Sequence, residues 1–302
     1  MGHSIATVWW WMFGVATVVM FGVLLLAGAA FWRRRDAVPL SDRGARSMII
    51  AGGIALPTVA IVALLIYGLP AGQGMRMGFG ESAYQVDVRA HQWWWEVSYP
   101  DAPGGVVYAA NEIHIPAGRA VTLNITSNDV IHSFWVPRLG GKIDAIPGRT
   151  NVLHLKADDA GQYAGVCAEF CGAQHARMGF FVTAHAPDAL DGVLAGLAQP
   201  HPNTQRLADH TGYQQQCAAC HSLDPRDRAP SGVSAGLATG PNLAGLGARE
   251  YIGAGALLNT PEHLKQWMRE HQVIKPGNHM PVSDLPRETL DELAELLGAT
   301  ND

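Results

Sequence analysis

The sequence contains few cysteines and carries little net charge. Only four of its 302 residues are cysteine, which excludes the small secreted folds that depend on many disulfides. Charged residues make up 16% of the chain, and the formal net charge is −5. Proteins that bind the phosphate backbone of nucleic acids are usually strongly basic, so nucleic acid is not an expected partner. The sequence also contains no internal repeat.

The first 70 residues contain two long apolar runs. Residues 8–32 and 48–70 comprise 25 and 23 residues without a charged side chain. Each run exceeds the roughly 20 residues that a helix needs to cross a bilayer. A signal peptide would begin with a basic segment, but residues 1–7 contain no Lys or Arg. We therefore predict a transmembrane hairpin in residues 1–72.

The charges between the two runs predict the orientation of this hairpin. The connecting loop contains five arginines and two aspartates: Arg33, Arg34, Arg35, Arg43, Arg46, Asp36 and Asp42. Because Lys and Arg are enriched in cytoplasmic loops, both termini are predicted to lie on the outer side of the membrane. The rest of the chain is then extracytoplasmic.

Three patterns follow the apolar runs. Residues 84–183 alternate apolar and polar positions between breaks rich in Pro, Gly and Asp, which predicts an all-β domain over 80–186. Residues 187–203 are rich in Ala, Gly, Pro and Asp and are interpreted as a linker. From residue 204 the pattern is helical and predicts an all-α domain over 204–302. Its last helix has an apolar face made of Leu290, Leu293, Leu296 and Leu297.

The segment "VCAEFCGAQHARMGF" at residues 166–180 concentrates metal-binding side chains. Cys167 and Cys171 are followed by His175 and Met178. A disulfide or a tetrahedral zinc site would explain the cysteines, but neither uses a thioether. Thiolate, imidazole and thioether together are the soft ligands of copper electron-transfer sites. Since a mononuclear site needs one cysteine, the second thiolate indicates two coppers.

A second histidine must come from elsewhere in the β-domain. His132 in "SNDVIHSFWVP" precedes an aromatic strand and is the first candidate. The alternatives are His114, His154 and His185, which we interpret as ordinary strand or surface histidines.

A second cluster, "CAACH" at residues 217–221, is typical of covalent c-type haem attachment. In this pattern Cys217 and Cys220 form thioethers and His221 is the proximal iron ligand. A redox-active dithiol is the alternative, but no βαβ pattern surrounds the cluster. Met280 in "KPGNHMP" is the predicted distal ligand. The competing candidates are Met268, His271 and His279.

Three blocks carry a resemblance to a known family. "AHQWWWEVSYP", "SNDVIHSFWVPRLGGKIDAIPGR" and "CAEFCGAQHARM" resemble the signature blocks of cytochrome c oxidase subunit II. The resemblance implies a cupredoxin-like Greek-key domain that holds a dinuclear copper A centre. Transferred residue by residue, it implies that Cys167 and Cys171 bridge both coppers. The remaining ligands would be His132 and Met178 on one copper, and His175 and the carbonyl of Glu169 on the other.

The same resemblance implies roles for two further groups. The side chain of Glu169 resembles the family's ligand to a magnesium ion shared with subunit I. Trp95 is the second tryptophan of the family pattern "HQWxW", where relatives without a fused cytochrome receive electrons from cytochrome c. We therefore expect the fused domain to contact Trp95, and we interpret Trp93 and Trp94 as packing residues.

Residues 204–302 resemble class I cytochromes c, and "TGPNL" at 239–243 resembles the loop beside the proximal histidine. A cytochrome fused after the copper domain is similar to subunit II of bacterial caa-type oxidases, in the bacterial inner membrane. The implied function is electron transfer from a soluble or membrane cytochrome c, through haem c and copper A, to subunit I. Oxygen reduction and proton pumping would occur on subunit I, and subunit III would be a further partner.

One segment departs from the family pattern. Relatives carry a glutamate near the start of the second membrane helix, at a proton channel, whereas "GARSMIIAGGIALP" has no carboxylate. Proton entry through this subunit is therefore not expected. Two alternative functions stay open: the small subunit of a copper-A nitric oxide reductase, and a non-catalytic membrane-anchored copper-binding protein.

Overall fold

The computed structural model describes residues 2–32, 41–77, 82, 84–229 and 239–298. The chain forms two units, Met1–Gly80 and Glu81–Asp302.

The first unit contains the two apolar helical segments that the sequence predicts. The first is α1 (Gly2–Trp32); the second comprises α2 (Asp42–Ile50), a π-helical turn (Ala51–Ala55) and α3 (Leu56–Met77). Both are long and apolar enough to cross a membrane. The Ser41 hydroxyl accepts a hydrogen bond from the Gly44 amide at 3.2 Å and caps α2. Of the basic loop, Arg33, Arg34 and Arg35 lie outside the described residues.

The second unit begins with a β-sandwich, as predicted. Its strands are β1 (Gln85–His91), β2 (Trp94–Tyr99), β3 (Val107–Ala110), β4 (Glu112–Pro116), β5 (Ala120–Ser127), β6 (His132–Trp135), β7 (Ile143–Ala145), β8 (Asn151–Lys156), β9 (Gly161–Cys167) and β10 (Gly179–His185). One sheet has the order β3-β2-β1-β5-β8 and the other the order β4-β10-β9-β6-β7. The β1–β5 and β4–β10 pairs are parallel, and the other pairs are antiparallel.

The apolar positions of these strands meet between the two sheets. Trp95, Tyr99, Phe134 and Phe180 are among the largest side chains that are fully buried. Phe134 and Phe180 stack with ring centroids 4.4 Å apart, and Trp95 meets both edge-on. A close-packed aromatic core of this kind gives the loops at the end of the sandwich a rigid support.

The linker predicted over residues 187–203 is wrong for its central part. The structure contains α4 (Leu190–Leu197) there, and Leu190 and Leu194 are buried in the core of the β-domain. These leucines are four residues apart, so one helical face buries both. The Ala, Gly and Pro residues around them concealed this spacing.

The C-terminal part is mainly helical. It contains α5 (Thr204–Asp209), α6 (Thr211–Gln216), a short hairpin of β11 (Tyr251–Ile252) and β12 (Leu257–Leu258), α7 (Pro261–Ile274) and α8 (Arg287–Leu297). Thr260 caps α7, and its hydroxyl accepts a hydrogen bond from the His263 amide at 3.2 Å. The predicted apolar face of α8 is confirmed, because Leu290, Leu293, Leu296 and Leu297 are all buried. Met268 of α7 is also buried in this core.

Candidate metal and cofactor sites

The predicted copper donors lie together at one end of the β-sandwich. His132 begins β6 and Cys167 ends β9, and these strands are neighbours in one sheet. The loop after Cys167 carries Cys171, His175 and Met178 before β10 returns to the same sheet. The fold thereby brings residue 132 to a loop that is remote from it in sequence.

The side chains of this cluster converge at metal-binding separations. The two sulfur atoms, Cys167 Sγ and Cys171 Sγ, are 3.7 Å apart, which is much longer than a disulfide bond. His132 Nδ1 lies 3.8 Å from Cys167 Sγ, and the Glu169 carbonyl oxygen lies 3.3 Å from the same sulfur. Two more donors surround the Cys171 sulfur, which lies 3.7 Å from His175 Nδ1 and 3.9 Å from Met178 Sδ.

Hydrogen bonds orient His132 toward the cluster. Asp129 Oδ1 accepts a hydrogen bond from His132 Nε2 at 2.8 Å, so the proton is on Nε2 and the lone pair of Nδ1 faces the cysteines. Burial acts to lower the pKa of His132, but the hydrogen bond to Asp129 and the contact with Cys167 raise it above its usual range. Asp129 also accepts a hydrogen bond from the Gln92 amide at 2.7 Å.

The two thiols shift each other's pKa in opposite directions. The hydrogen bond from Cys171 lowers the pKa of Cys167, helped by His132 and opposed by burial. The pKa of Cys171 is raised, first by its hydrogen bond to Cys167 and then by burial. Cys167 is therefore the thiol whose surroundings favour the thiolate, the form that binds metals. Soft sulfur donors, two imidazole nitrogens and a carbonyl oxygen are a donor set that fits copper.

The other histidines weighed as ligands lie outside this cluster. His114 of β4 and His185 of β10 form a hydrogen bond of 2.9 Å between Nδ1 and Nε2. Burial lowers the pKa of His114 to about 4, so the pair is neutral at pH 7. His154 lies on β8, beside the Thr122 hydroxyl at 3.2 Å. Their interpretation as strand histidines agrees with these positions.

The residues predicted to attach a haem line one cavity, the haem-attachment cavity, between the C-terminal part and the β-domain of the second unit. Cys217, Cys220, His221 and Met280 all border this cavity. His221 Nδ1 donates to the Pro241 carbonyl at 2.7 Å, which leaves Nε2 free to bind a metal. Gly240 packs so closely against the His221 ring that a Cβ added at this position would clash with it.

One thiol of this cavity is buried, and a hydrogen bond fixes the loop that carries Met280. Burial, and secondarily Cys220, raises the pKa of Cys217 to about 11, so this thiol is protonated and is a poor metal ligand. The loop that carries Met280 is fixed, because the Met280 carbonyl accepts a hydrogen bond from Gln272 Nε2 at 2.9 Å. Of the competing candidates, Met268 and His279 also border the cavity. His271 is buried and contacts Asn278 through Nδ1 at 3.2 Å.

Comparison with known proteins identifies the family. The family model described as cytochrome c oxidase subunit II, periplasmic domain, matches residues 103–185. Cytochrome c oxidase subunit 2 of Alkalihalophilus pseudofirmus is 32% identical over 298 residues, which cover 94% of this chain and 82% of the relative. The chain belongs to the cytochrome c oxidase subunit II family.

A second curated relative agrees with this assignment, and one solved structure is reported beside it. Cytochrome c oxidase subunit 2 of Bacillus sp. strain PS3 is 37% identical over 70% of this chain and 61% of its own length. The crystal structure of the periplasmic domain of subunit II from Bradyrhizobium japonicum is 29% identical and covers 38% of this chain and 94% of its own, with a TM-score of 0.37. Subunit II is the electron-entry subunit of a haem–copper oxidase, and its family normally binds copper A.

Within this subunit II chain, the predicted position of Trp95 at a docking surface is wrong. Trp95 is 0% exposed and packs inside the sandwich, with its ring 6.0 Å from that of His132. Trp93 and Trp94, interpreted as packing residues, border the haem-attachment cavity instead. Trp93 Nε1 also donates to the Cys171 carbonyl at 2.9 Å. Trp93 therefore touches both candidate sites, whereas Trp95 touches the copper-donor cluster and the core of the sandwich.

Proposed function

We propose that this chain transfers electrons from a cytochrome c donor to a haem c and then to copper A, for delivery to subunit I. Subunit I would reduce oxygen to water and pump protons. The observation that carries this proposal is that Trp93 borders the haem-attachment cavity and donates a hydrogen bond to the copper loop. Two candidate redox sites so close together suit a short intramolecular electron path.

The proposed copper ligands are Cys167, Cys171, His132, Met178, His175 and the carbonyl of Glu169. When bound, the two coppers supply a one-electron carrier whose charge is spread over both metals. The protein contributes rigidity, because both histidines and both cysteines are at the ends of strands or in a short packed loop. Asp129 holds the His132 ring in place, so its Nδ1 need not move when the charge at the site changes.

Cys217 and Cys220 would hold the proposed haem c through thioethers, and His221 and Met280 would be its iron ligands. The fold of residues 204–298, with short helices around a cavity, supports a class I cytochrome c domain. The hydrogen bond to Pro241 orients His221, and burial keeps the pKa of His221 below its usual range. His221 is therefore neutral at pH 7 and available as a ligand.

The proposed surface for subunit I surrounds the copper loop. Phe170 is 76% exposed, and the side chains of Val130 and Ile131 beside His132 are exposed as well. Exposed apolar groups that cluster around a buried metal site favour a protein partner. We place the magnesium ligand Glu169 on this surface, since its side chain is exposed beside Phe170. Subunit III and the lipid bilayer are the further proposed partners.

The proposed location is the inner membrane of a bacterium, with the β-domain and the cytochrome domain on the periplasmic side. The two apolar segments support membrane anchoring, and the fused cytochrome domain supports a caa-type oxidase. The arginine-rich loop between the two segments supports cytoplasmic placement of that loop.

The electron path is testable through the tryptophans. We expect Trp93→Phe to slow copper reduction by the haem strongly, because the indole between the two sites loses its Nε1 donor. We expect Trp95→Phe to slow the same step less, since Trp95 contacts only the copper side. Flash-induced reduction of the haem, followed at both centres, measures each rate. If both variants keep the wild-type rate, the electron takes another route.

The intact membrane complex decides between the proposed reactions. With reduced cytochrome c as donor, we expect rapid oxygen consumption and slow consumption of nitric oxide. Rapid turnover of nitric oxide alone would support the nitric oxide reductase alternative. Copper binding without turnover of either gas would support the non-catalytic copper-binding alternative, although two candidate redox sites in one chain favour electron transfer.

A further inference from the structure

The C-terminal domain packs directly against the β-domain in the second unit. Arg228 forms two contacts of 3.0 Å with the buried carboxylate of Glu96. The Glu112 carboxylate accepts a hydrogen bond from the Glu250 amide at 3.0 Å, and the Gly179 amide donates to the Ala254 carbonyl at 3.1 Å. These contacts hold the two domains in one relative position, which a flexible tether alone would not do.

A buried lysine lies at the centre of this junction. Lys275 follows α7 and is 3% exposed. Its Nζ donates to the carbonyl of Trp93 at 2.8 Å and to the carbonyl of Gly253 at 3.2 Å. No carboxylate in the described part of the chain forms an ion pair with it. Burying an amine without a carboxylate partner costs free energy. The two carbonyl contacts offset part of that cost.

The electrostatics of Lys275 agree with this burial. Burial is the main cause that lowers its pKa to about 7, and the charge of Arg177 lowers it further. The electrostatic interaction with Cys171 acts in the opposite direction and raises the pKa of Lys275. The charged and neutral forms of the amine both have protons to donate to the two carbonyls.

The contacts of Lys275 continue into the copper loop. The Trp93 residue whose carbonyl it binds donates through Nε1 to the Cys171 carbonyl at 2.9 Å, and Gln92 Nε2 donates to the same oxygen at 2.7 Å. In return, the copper-loop side chains Gln174 and Arg177 donate to the carbonyls of Pro276 and Ile274. Residues 274–276 are therefore connected to the copper loop by direct hydrogen bonds and, through Lys275, by the hydrogen bonds of Trp93.

The aromatic side of the junction depends on the same segment. The His279 ring lies 5.0 Å from the Trp93 ring, and the chain reaches His279 through the turn that follows Lys275. With its carbonyl held by Lys275 and its Nε1 held by Cys171, Trp93 is fixed at both ends. These two hydrogen bonds restrict the movement of its ring between the two sites.

We propose that Lys275 is the positioning residue of the inter-domain junction, which holds the Trp93 backbone so that its indole stays between the haem-attachment cavity and the copper loop. This inference rests on the proposed function for its consequence in electron transfer, but the positioning itself does not require either cofactor.

The first test uses the four lysines of the chain, Lys142, Lys156, Lys265 and Lys275. An N-hydroxysuccinimide ester acetylates accessible neutral amines, and an exposed amine with a low pKa would react fastest of all. In the full-length protein we expect Lys142, Lys156 and Lys265 to be labelled and Lys275 to be protected, as mass spectrometry of peptides would show. Labelling of Lys275 at the rate of the others would overturn the proposal.

The second test replaces the amine. We expect Lys275→Met to speed hydrogen exchange in residues 91–94 and in the copper loop by about tenfold or more, the factor that follows from losing a buried hydrogen bond to a charged group. Exchange in α8 should not change, which shows that the domain is still folded. The matched control is Lys265→Met on α7, which removes an exposed lysine paired with Glu295 at 2.6 Å and should leave the junction unchanged.

Hydrogen exchange tests the positioning role of Lys275, and the rate of copper reduction tests the electron path. With the cofactors present, Lys275→Met should also slow copper reduction by the haem while the haem content stays unchanged. Faster exchange at the junction without slower electron transfer would support the positioning role and count against the electron path. Unchanged exchange in residues 91–94 and in the copper loop would overturn the positioning role itself.

Discussion

Replacing Cys167 by serine is expected to abolish the dinuclear copper centre. The Cys167 sulfur lies within 3.8 Å of His132 Nδ1, the Glu169 carbonyl oxygen and the Cys171 sulfur. A serine hydroxyl is a hard, protonated donor and cannot bridge two soft copper ions. The copper content measured by metal analysis should therefore fall below the wild-type value of about two coppers per chain, the number that two bridging thiolates indicate. The spectrum of an electron shared between two metals should also disappear.

The matched control for this change is Cys217→Ser. It removes a thiol of the haem-attachment cavity and should leave the copper content and spectrum unchanged. If Cys167→Ser retains two coppers with a shared electron, the bridging assignment is wrong. If the wild type binds a single copper, or zinc, the site is not a dinuclear copper centre.

Replacing Met280 by histidine is expected to lower the haem potential strongly while the haem stays attached. Methionine ligation raises the potential of cytochromes c, and axial ligands together set haem potentials over a range of about 0.8 V. A shift of a sizeable part of that range is expected, because the bond to Gln272 Nε2 holds the loop in place. A redox titration measures the potential, and acid-acetone extraction should leave the haem on Cys217 and Cys220.

Met268→Leu is the control for the change at Met280. Met268 borders the same cavity but belongs to the buried core of the C-terminal domain, so a substitution of similar volume should leave the potential nearly unchanged. The reverse result, in which only the Met268 variant shifts the potential, would make Met268 the distal ligand. An unchanged haem potential in both variants would indicate that His279 or His271 is the distal ligand.

The sequence predicts that the proposed copper donors lie together because most of them are in one loop. Cys167, Cys171, His175 and Met178 follow each other within 12 residues, so their proximity needs no knowledge of the fold. His132 is preferred over His114, His154 and His185 because it precedes an aromatic strand, and the resemblance to a family supports the same choice. The pairing of β6 with β9 that brings it to Cys167 depends on contacts between distant residues.

The junction between the domains could not be predicted in the same way. Trp93, Trp94 and Trp95 are identical side chains in a row, and the direction of each is decided by where β2 begins. A strand that starts at Trp94 turns Trp95 into the sandwich and leaves Trp93 in the preceding turn, beside the cavity. Lys275 has no sequence signal of burial, because lysines are usually exposed and its partners are backbone carbonyls of other segments.

The helix α4 changes where the copper domain ends. Leu194 is 0% exposed and, with Leu190, fills part of the space beneath the β-domain. A soluble fragment that stopped at residue 186, where the strand pattern stops, would lose both leucines and expose the apolar surface that they cover. Such surfaces cause aggregation. The smallest fragment of the β-domain that keeps its core intact therefore extends through Leu197, and cleavage beyond α4 would free the C-terminal domain without exposing that core.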